Sequence, residues 1–366
     1  MRLDKICFFG SYQAFNYHHI GGTESFVRRL STELTKKDIG VDYIFYGGRE
    51  NKELEFSGIR LNYFELFNDA LTVVEKREYE HVITIYLLLK DRIKYALFRK
   101  NKNKSIRFHF VHFGWPDSII KRTLYFSEAR LFPYNGKLIC ISKRQYDYVS
   151  RWSKNAVYLL PPVPESYFLR PDEKPTNEKI KVTFLGRIDP GKGINEVIEI
   201  FKALKVNDRF ECSIYGIHIP EQKKSLEIHN WLKNQKNIKY VEVERQRYSP
   251  AVDEFVGNIL KETDIFIQPY QKLSSTIDTP LLLLEAMASL CALITKPFGN
   301  IPDIYGKSRF LIHPDNFIVD AIQLLKNITY QDLIEERKRI YDQNLRLNFK
   351  SENIGKRFVD AIISRD

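Results

Sequence analysis

Short apolar runs punctuate the first half of the chain at 6–10, 41–46, 59–64, 81–85, 106–112 and 137–141. They are dominated by β-branched, aromatic and leucine side chains, the composition of buried strands. Between them the spacing changes. Phe26, Val27, Leu30 and Leu34 recur at helical intervals behind Thr23, a candidate N-cap, and further helices are expected near 88–98, 118–128 and 143–152. Strands that are apolar on both faces, alternating with helices, predict parallel sheets covered on both sides.

A second series follows, with strands expected at 180–185, 211–215, 238–243, 264–267, 292–295 and 310–312. Between the two series lie Pro161-Pro162-Val163-Pro164 and the proline- and charge-rich stretch 171–177, a candidate linker. The pattern predicts two doubly wound α/β halves with a ligand cleft between their strand C-termini. A last helix, 354–363, places Ile354, Phe358, Ala361 and Ile362 on one face, and the pattern does not say which half it joins.

Composition narrows the function classes. The 366 residues carry 57 Lys+Arg against 46 Asp+Glu, a formal charge of +11, which suggests an anionic partner such as nucleic acid, an acidic membrane or a phosphorylated ligand. No recognised nucleic-acid module accompanies the charge, so nucleic acid is not expected as a partner. Cys7, Cys140, Cys212 and Cys291 lie far apart in apolar runs, as expected for buried reduced thiols of a cytoplasmic protein rather than a disulfide or metal framework. No stretch reaches the ~18 uncharged apolar residues of a membrane span, and the N-terminus lacks a signal-peptide core.

Two stretches carry candidate chemistry. At 184–194 a strand runs into Gly186-Arg187-Ile188-Asp189-Pro190-Gly191-Lys192-Gly193 and then into a helix whose apolar face is Ile194, Val197, Ile198, Phe201 and Leu204. A helix start exposes unpaired N–H groups and a positive dipole end. Glycines let backbone approach a ligand, and Arg187 and Lys192 add charge, so the stretch is a candidate phosphate site. The plainer alternative is a strand–helix turn with solvated cations. At 278–289, Leu281, Leu284 and Ala288 define a buried helical face, and Glu285 is read as sitting near the helix start, where it could accept from a sugar hydroxyl or simply stabilise the helix.

The order of these features resembles the retaining glycosyltransferases of the GT-B fold, family four. The carrying motifs are Gly21-Gly22 in the first strand–helix turn, a strand ending in His112, Gly186-Arg187-x(4)-Lys192-Gly193, and the Leu283-Leu284-Glu285-Ala286-Met287-Ala288 helix about 90 residues later. The resemblance covers nearly the whole chain. It implies two Rossmann-like domains facing a deep cleft, an N-terminal acceptor-side domain of 1–165 joined by the helix 348–366, and a donor domain of 166–347. It also implies that Arg187 and Lys192 bind the donor diphosphate, with Gly186 in the same loop. Glu285 would bind the ribose, Gly21 and Gly22 would approach the donor phosphate, and His112 would contact the donor sugar near the reacting carbon. Arg187, Lys192 and His112 are thus the expected catalytic set. His109, read as facing the same side of that strand but deeper, is expected to be a core histidine, and His18 and His19 are expected to be exposed.

One departure concerns the donor sugar. The family has two glutamates eight positions apart, and Ile277 stands eight before Glu285. Either Asp278 substitutes for the first, or backbone N–H groups around Thr279 and Leu281 hold the sugar. No Asp-x-Asp triplet occurs in the chain, so no diphosphate-bridging metal and no cofactor is expected. The expected activity is retaining hexosyl transfer from a UDP- or GDP-sugar to a hydroxyl of a glycan or lipid-linked acceptor, in cell-envelope polysaccharide or glycolipid synthesis. A sugar-nucleotide epimerase of the same fold and a non-catalytic nucleotide-sugar-binding subunit are the alternatives. Lys90, Arg92, Lys94, Arg99, Lys100, Lys102 and Lys104, interleaved with apolar residues over 87–104, read either as a contact for an anionic membrane at the inner face of the plasma membrane or as a solvated helix face.

Overall fold

The architecture is that of a computed structural model, which describes residues 5–12, 19–48, 51–56, 58–102, 104–116, 118–205, 207–219, 221–243, 249–272 and 276–364. His18 lies outside the described residues. The chain forms two compact units, residues 1–162 with 349–366, and residues 163–348.

Among the described residues the first unit is built on eight strands: β1 (Lys5–Ser11), β2 (Gly40–Tyr46), β3 (Lys52–Phe56), β4 (Ile59–Phe64), β5 (His81–Tyr86), β6 (Arg107–His112), β7 (Leu138–Cys140) and β8 (Ala156–Tyr158). Their order is β3-β4-β2-β1-β5-β6-β7-β8. Every neighbouring pair is parallel except β3 and β4. An all-parallel sheet was the expectation, and the antiparallel hairpin at the edge corrects it. Lys52, Glu53 and Glu55 are exposed, so β3 lacks the apolar run that marks a buried strand. Helices α1 (Gly22–Thr35), α2 (Phe67–Lys76), α3 (Arg92–Lys102), α4 (Ile119–Leu131) and α5 (Lys143–Val149) connect the strands. Helix α1 starts at Gly22 with extended Gly21 as its N-cap, so Thr23 lies inside the helix rather than capping it.

The second unit orders β9 (Ile180–Arg187), β10 (Phe210–Ile217), β11 (Lys239–Glu242), β12 (Ile265–Ile267) and β13 (Ala292–Ile294) as β11-β10-β9-β12-β13, all parallel. The strand expected at 310–312 reduces to one parallel bridge between Thr295 and Leu311. Helices α6 (Ile194–Leu204), α7 (Lys223–Lys233), α8 (Pro250–Glu262), α9 (Leu281–Ala288), α10 (Ile301–Tyr305), α11 (Phe317–Asn327) and α12 (Tyr330–Leu347) complete it. Helix α13 (Ser351–Ile363) returns to the first unit and packs on α1, where a Cβ added to Gly355 would lie 2.7 Å from Glu33 Cβ. Ile354, Phe358 and Ile362 are its buried stripe, with Ala361 only half-buried.

The candidate linker is shorter than its composition suggests. From Val163 onward the chain is docked on the second unit: the Tyr167 hydroxyl donates to Asp253 O (2.8 Å), and the buried Lys174 ammonium donates to Ser289 O (2.7 Å) and Leu260 O (3.0 Å). The four cysteines are buried and unpaired with one another. Among the described residues no helix is long and apolar enough to cross a membrane.

In each sheet one strand has neighbours whose connections run in opposite directions. β1 lies between β2 and β5, and β9 between β10 and β12. Such switch strands open a crevice at their C-terminal ends, where doubly wound sheets take ligands. Gly21 and Gly22 follow the first of these ends, and Gly186 and Arg187 form the second.

Candidate active site

β9 is buried through Leu185 and emerges with Gly186, whose φ of 145° is glycine-favouring, and exposed Arg187. The chain then makes one tight turn over Pro190–Lys192. Asp189 caps it by accepting from Gly191 N (2.8 Å), and Lys192 N donates to Asp189 O (2.8 Å). Gly193 follows with φ 80°, and a Cβ there would stand 2.2 Å from Pro269 O, so only glycine fits without moving backbone. Helix α6 starts immediately, and Gly193, its N-cap, has no side chain to satisfy the first N–H groups. The loop is pinned to the segment after β12, where Gln271 N donates to Gly191 O (3.0 Å).

That segment supplies Tyr270, absent from the sequence-based set. The buried ring stacks on Phe298 at 5.5 Å and carries the Lys192 ammonium 4.8 Å from its centroid. Lys192 has no carboxylate within ion-pair distance among the described residues. Burial, reinforced by the Arg187 cation and opposed by Asp189, pushes its pKa down to about 7. The Tyr270 hydroxyl is raised, first by burial; Glu285 raises it further, while Thr276 and Arg187 oppose. Lys192 is thus the cation that rests on this ring, while Arg187 and Glu285 act on its hydroxyl through their charge. Tyr270 is legible in sequence only as an aromatic just past the strand end of 264–267.

Helix α9 differs from its expected form. It is buried on nearly every side, with only Leu282 half-buried, rather than along one stripe. Glu285 is its fifth residue, beyond the first turn where backbone N–H groups are unpaired, so its placement near the helix start is corrected to the second turn. The carboxylate is nevertheless buried. Asp278 and Thr279, also buried, are fixed by Asn300: Asn300 N donates to Asp278 O (3.1 Å), and Asn300 Nδ2 donates to Thr279 Oγ1 (2.8 Å). Leu281 opens the helix behind Pro280.

In the first unit Gly21 is the extended N-cap of α1, and an added Cβ would lie 2.3 Å from Glu24 Oε2. His112 ends β6, wholly buried among Phe110 (4.6 Å between ring centroids), Phe126 (4.8 Å) and Tyr125 (5.7 Å). Neither ring nitrogen has a hydrogen-bond partner among the described residues. Burial, with Arg92 nearby, lowers its pKa to about 3, so the imidazole is neutral. An unpaired buried polar atom costs roughly 1–3 kcal/mol, which makes this a costly residue for packing alone.

His109 stands three residues before His112, so it points to the opposite face of β6, contrary to the expectation of a shared side. It is a core histidine: Nδ1 accepts from Lys137 N (2.9 Å), so Nε2 carries the proton toward His81 Nδ1 (3.0 Å). His19 is exposed. Arg99, expected among the surface cations, is instead buried: it pairs with Glu128 (2.7 Å) and stacks on Tyr134 (3.5 Å).

Residues 167–344, almost the whole second unit, match the family model described as glycosyl transferases group 1. Comparison with curated protein sequences finds no match. Among solved structures, sucrose-phosphate synthase from Thermosynechococcus elongatus superimposes with a TM-score of 0.70 at 16% identity, covering 98% of each chain. HepE of Anabaena, solved with UDP and glucose, gives 0.69 at 12% identity over 98% of this chain and 99% of that one. A TarM variant of S. aureus, solved with Fondaparinux, alpha-GlcNAc-glycerol and UDP, gives 0.65 at 13% identity over 99% and 100%. The two parallel-sheet units thus have the GT-B fold. Together with the family match on the second unit, they support a glycosyltransferase.

Proposed function

We propose that the chain is a retaining glycosyltransferase that moves a hexosyl group from a nucleoside-diphosphate sugar, UDP- or GDP-linked, to a hydroxyl of a glycan or lipid-linked acceptor. The observation that carries this reading is the group at the switch point of the second sheet: Arg187 at the end of β9, Lys192 over the Tyr270 ring, and the uncapped start of α6. Breaking the bond between the anomeric carbon and the diphosphate oxygen leaves negative charge on the diphosphate and positive character on the carbon. The acceptor oxygen bonds to that carbon on the face the diphosphate leaves, and its proton passes to the leaving phosphate. Arg187, Lys192 in its charged form and the helix start meet the growing charge, an electrostatic contribution that is the largest single term in many such sites. No protein nucleophile, metal ion or cofactor enters this scheme.

Glu285 is assigned the nucleotide ribose, and Gly21 and Gly22 the donor phosphate. His112 is assigned the donor sugar as a neutral hydrogen-bonding group. Asp278, with the N–H groups near Thr279 and Leu281, replaces the glutamate that Ile277 displaces. The UDP in the solved HepE and TarM complexes favours uridine as the base.

The acceptor side is assigned to an anionic membrane surface. Leu89, Ile93 and Leu97 recur every fourth residue on and before α3, with exposures of 73%, 66% and 55%, and Lys90 and Lys94 flank them. Ile120, Leu124 and Leu131 make a second exposed row on α4, beside exposed Lys121 and Arg130. Apolar rows bordered by cations match an interface with anionic lipid. Envelope polysaccharide or glycolipid synthesis at the inner face of the plasma membrane would bring its lipid-linked acceptors there.

A thermal-shift panel of nucleoside diphosphates and their sugars tests the reading. UDP or GDP and one cognate sugar should raise the midpoint by mass action, and transfer to an acceptor should follow. No shift with any of them sinks the assignment. Binding without transfer to any acceptor would favour a non-catalytic subunit, and sugar interconversion without acceptor would favour an epimerase.

A further inference from the structure

The C-terminal edge of the second sheet carries a separate group of ligating side chains. His218 lies just past β10, His229 is on α7, and Glu242 ends β11. His218 Nδ1 is 3.3 Å from Glu242 Oε1, His229 Nε2 is 3.8 Å from the same oxygen, and all three ligating atoms lie within 4.8 Å of one another. Ligands on a tetrahedral zinc at about 2.0–2.1 Å stand roughly 3.3–3.5 Å apart, so the group needs only a small contraction.

The outer contacts are also those of a ligand set. His229 Nδ1 meets the Tyr240 hydroxyl at 2.6 Å, which leaves Nε2 facing Glu242. The other Glu242 oxygen is held by Lys233 at 3.0 Å. Partners of this kind fix ring orientation and carboxylate geometry around bound metals. Two imidazoles and one carboxylate select zinc-like transition ions over magnesium or calcium.

We propose that His218, His229 and Glu242 bind one divalent transition-metal ion of the zinc type. The ion joins α7 and the edge strand β11 to β10, with a fourth position left for water. The three residues are distinct from Arg187, Lys192 and Tyr270, so the inference does not depend on the sugar-transfer reading and assigns the ion no part in diphosphate binding.

The full chain, stripped with chelator, should take up one equivalent of Zn²⁺ in a calorimetric titration and melt at a higher temperature with it, while Mg²⁺ does neither. Co²⁺ in place of Zn²⁺ should give the visible absorption of a four- or five-coordinate site with nitrogen ligands. His218→Ala and Glu242→Gln change side chains that are 24% and 35% exposed, so both variants should melt like the parent without metal. Each should bind Zn²⁺ at least tenfold more weakly, roughly the loss that even an outer-contact change produces. Absence of stoichiometric uptake by the parent overturns the proposal. So does parent-like affinity in both variants, which would put the ion elsewhere on the chain.

Discussion

The Lys192 ammonium sits 4.8 Å from the centre of the Tyr270 ring, on a loop that Gly193 presses against Pro269. The two residues come from different strand ends, β9 and β12. A cation over an aromatic face keeps its charge outward for an incoming anion. Lys192→Ala should therefore slow transfer by roughly 10²–10³-fold, while the melting temperature stays at or above that of the parent, because burial disfavours the charged lysine. Tyr270→Leu should weaken nucleoside-diphosphate binding by about 0.5–2 kcal/mol and Tyr270→Phe by less, because phenylalanine keeps the face. Full activity in Lys192→Ala would remove the loop from the chemistry.

Lys192 titrates at about 7, far below an unfolded lysine near 10.4. Between those values the folded chain binds fewer protons than the unfolded one, so this residue's contribution to stability rises with pH across that window. Diphosphate binding needs the charged form. Its affinity should fall as pH rises from 7 to 9, with close to one proton taken up on binding, read from calorimetry in buffers of different ionisation enthalpy. Lys192→Arg should flatten the profile. Zero proton uptake at pH 8 in the parent would contradict this account.

His112 predicts opposite responses in stability and activity. His112→Phe removes two unpaired polar atoms from the apolar core and should leave the melting temperature unchanged or higher, yet reduce transfer about 100-fold or more. Acid should expose the same residue. His112 and His81 lie at about 3 and about 4 in the folded chain, both lowered first by burial, and His109 is also lowered. The unfolded chain gains these protons below about 6.5, so stability should drop as pH falls from 6.5 toward 4, by up to ~1.4 kcal/mol per pH unit for each histidine. Denaturation midpoints at pH 7, 6 and 5 measure the slope, and His112→Phe should make it shallower.

Gly193→Ala puts a side chain at φ 80° and 2.2 Å from Pro269 O. The left-handed conformation alone costs about 1–3 kcal/mol, and relief of the clash moves the loop. Both a lower denaturant midpoint and lost diphosphate binding are expected. An unfolding free energy within ~0.5 kcal/mol of the parent, with binding intact, would show that the loop tolerates a side chain.

The double variant Ile93→Asp with Leu97→Asp replaces two of the three exposed apolar residues of the α3 row, both outside the buried core. Co-sedimentation with vesicles containing anionic lipid should fall sharply, while transfer to a soluble acceptor persists. Equal sedimentation would assign that face to solvent.

The alternation of strands and helices was legible because the buried strands are short apolar runs and most helices, α9 excepted, repeat an apolar stripe. The glycine loop at 186–193 was legible for a local reason too: closely spaced glycines between strand and helix announce a backbone that side chains cannot follow. Edge strand β3 was not, since its charged residues face water and carry no apolar signal. Arg99 looked like surface charge because its partners Glu128 and Tyr134 lie on a later helix and loop.

By itself the sequence determined the two α/β series, the break between them, and the positions of Arg187, Lys192 and His112 at or after strand ends. Local periodicity and backbone chemistry are enough for that. Only tertiary structure decided which strands are switch points, since pairing order joins residues far apart in the chain. It also brought His81 against His109, gathered His218, His229 and Glu242 at one edge, and set Tyr270 under Lys192. In each case the partners lie on different elements, and only the packing of those elements makes them neighbours.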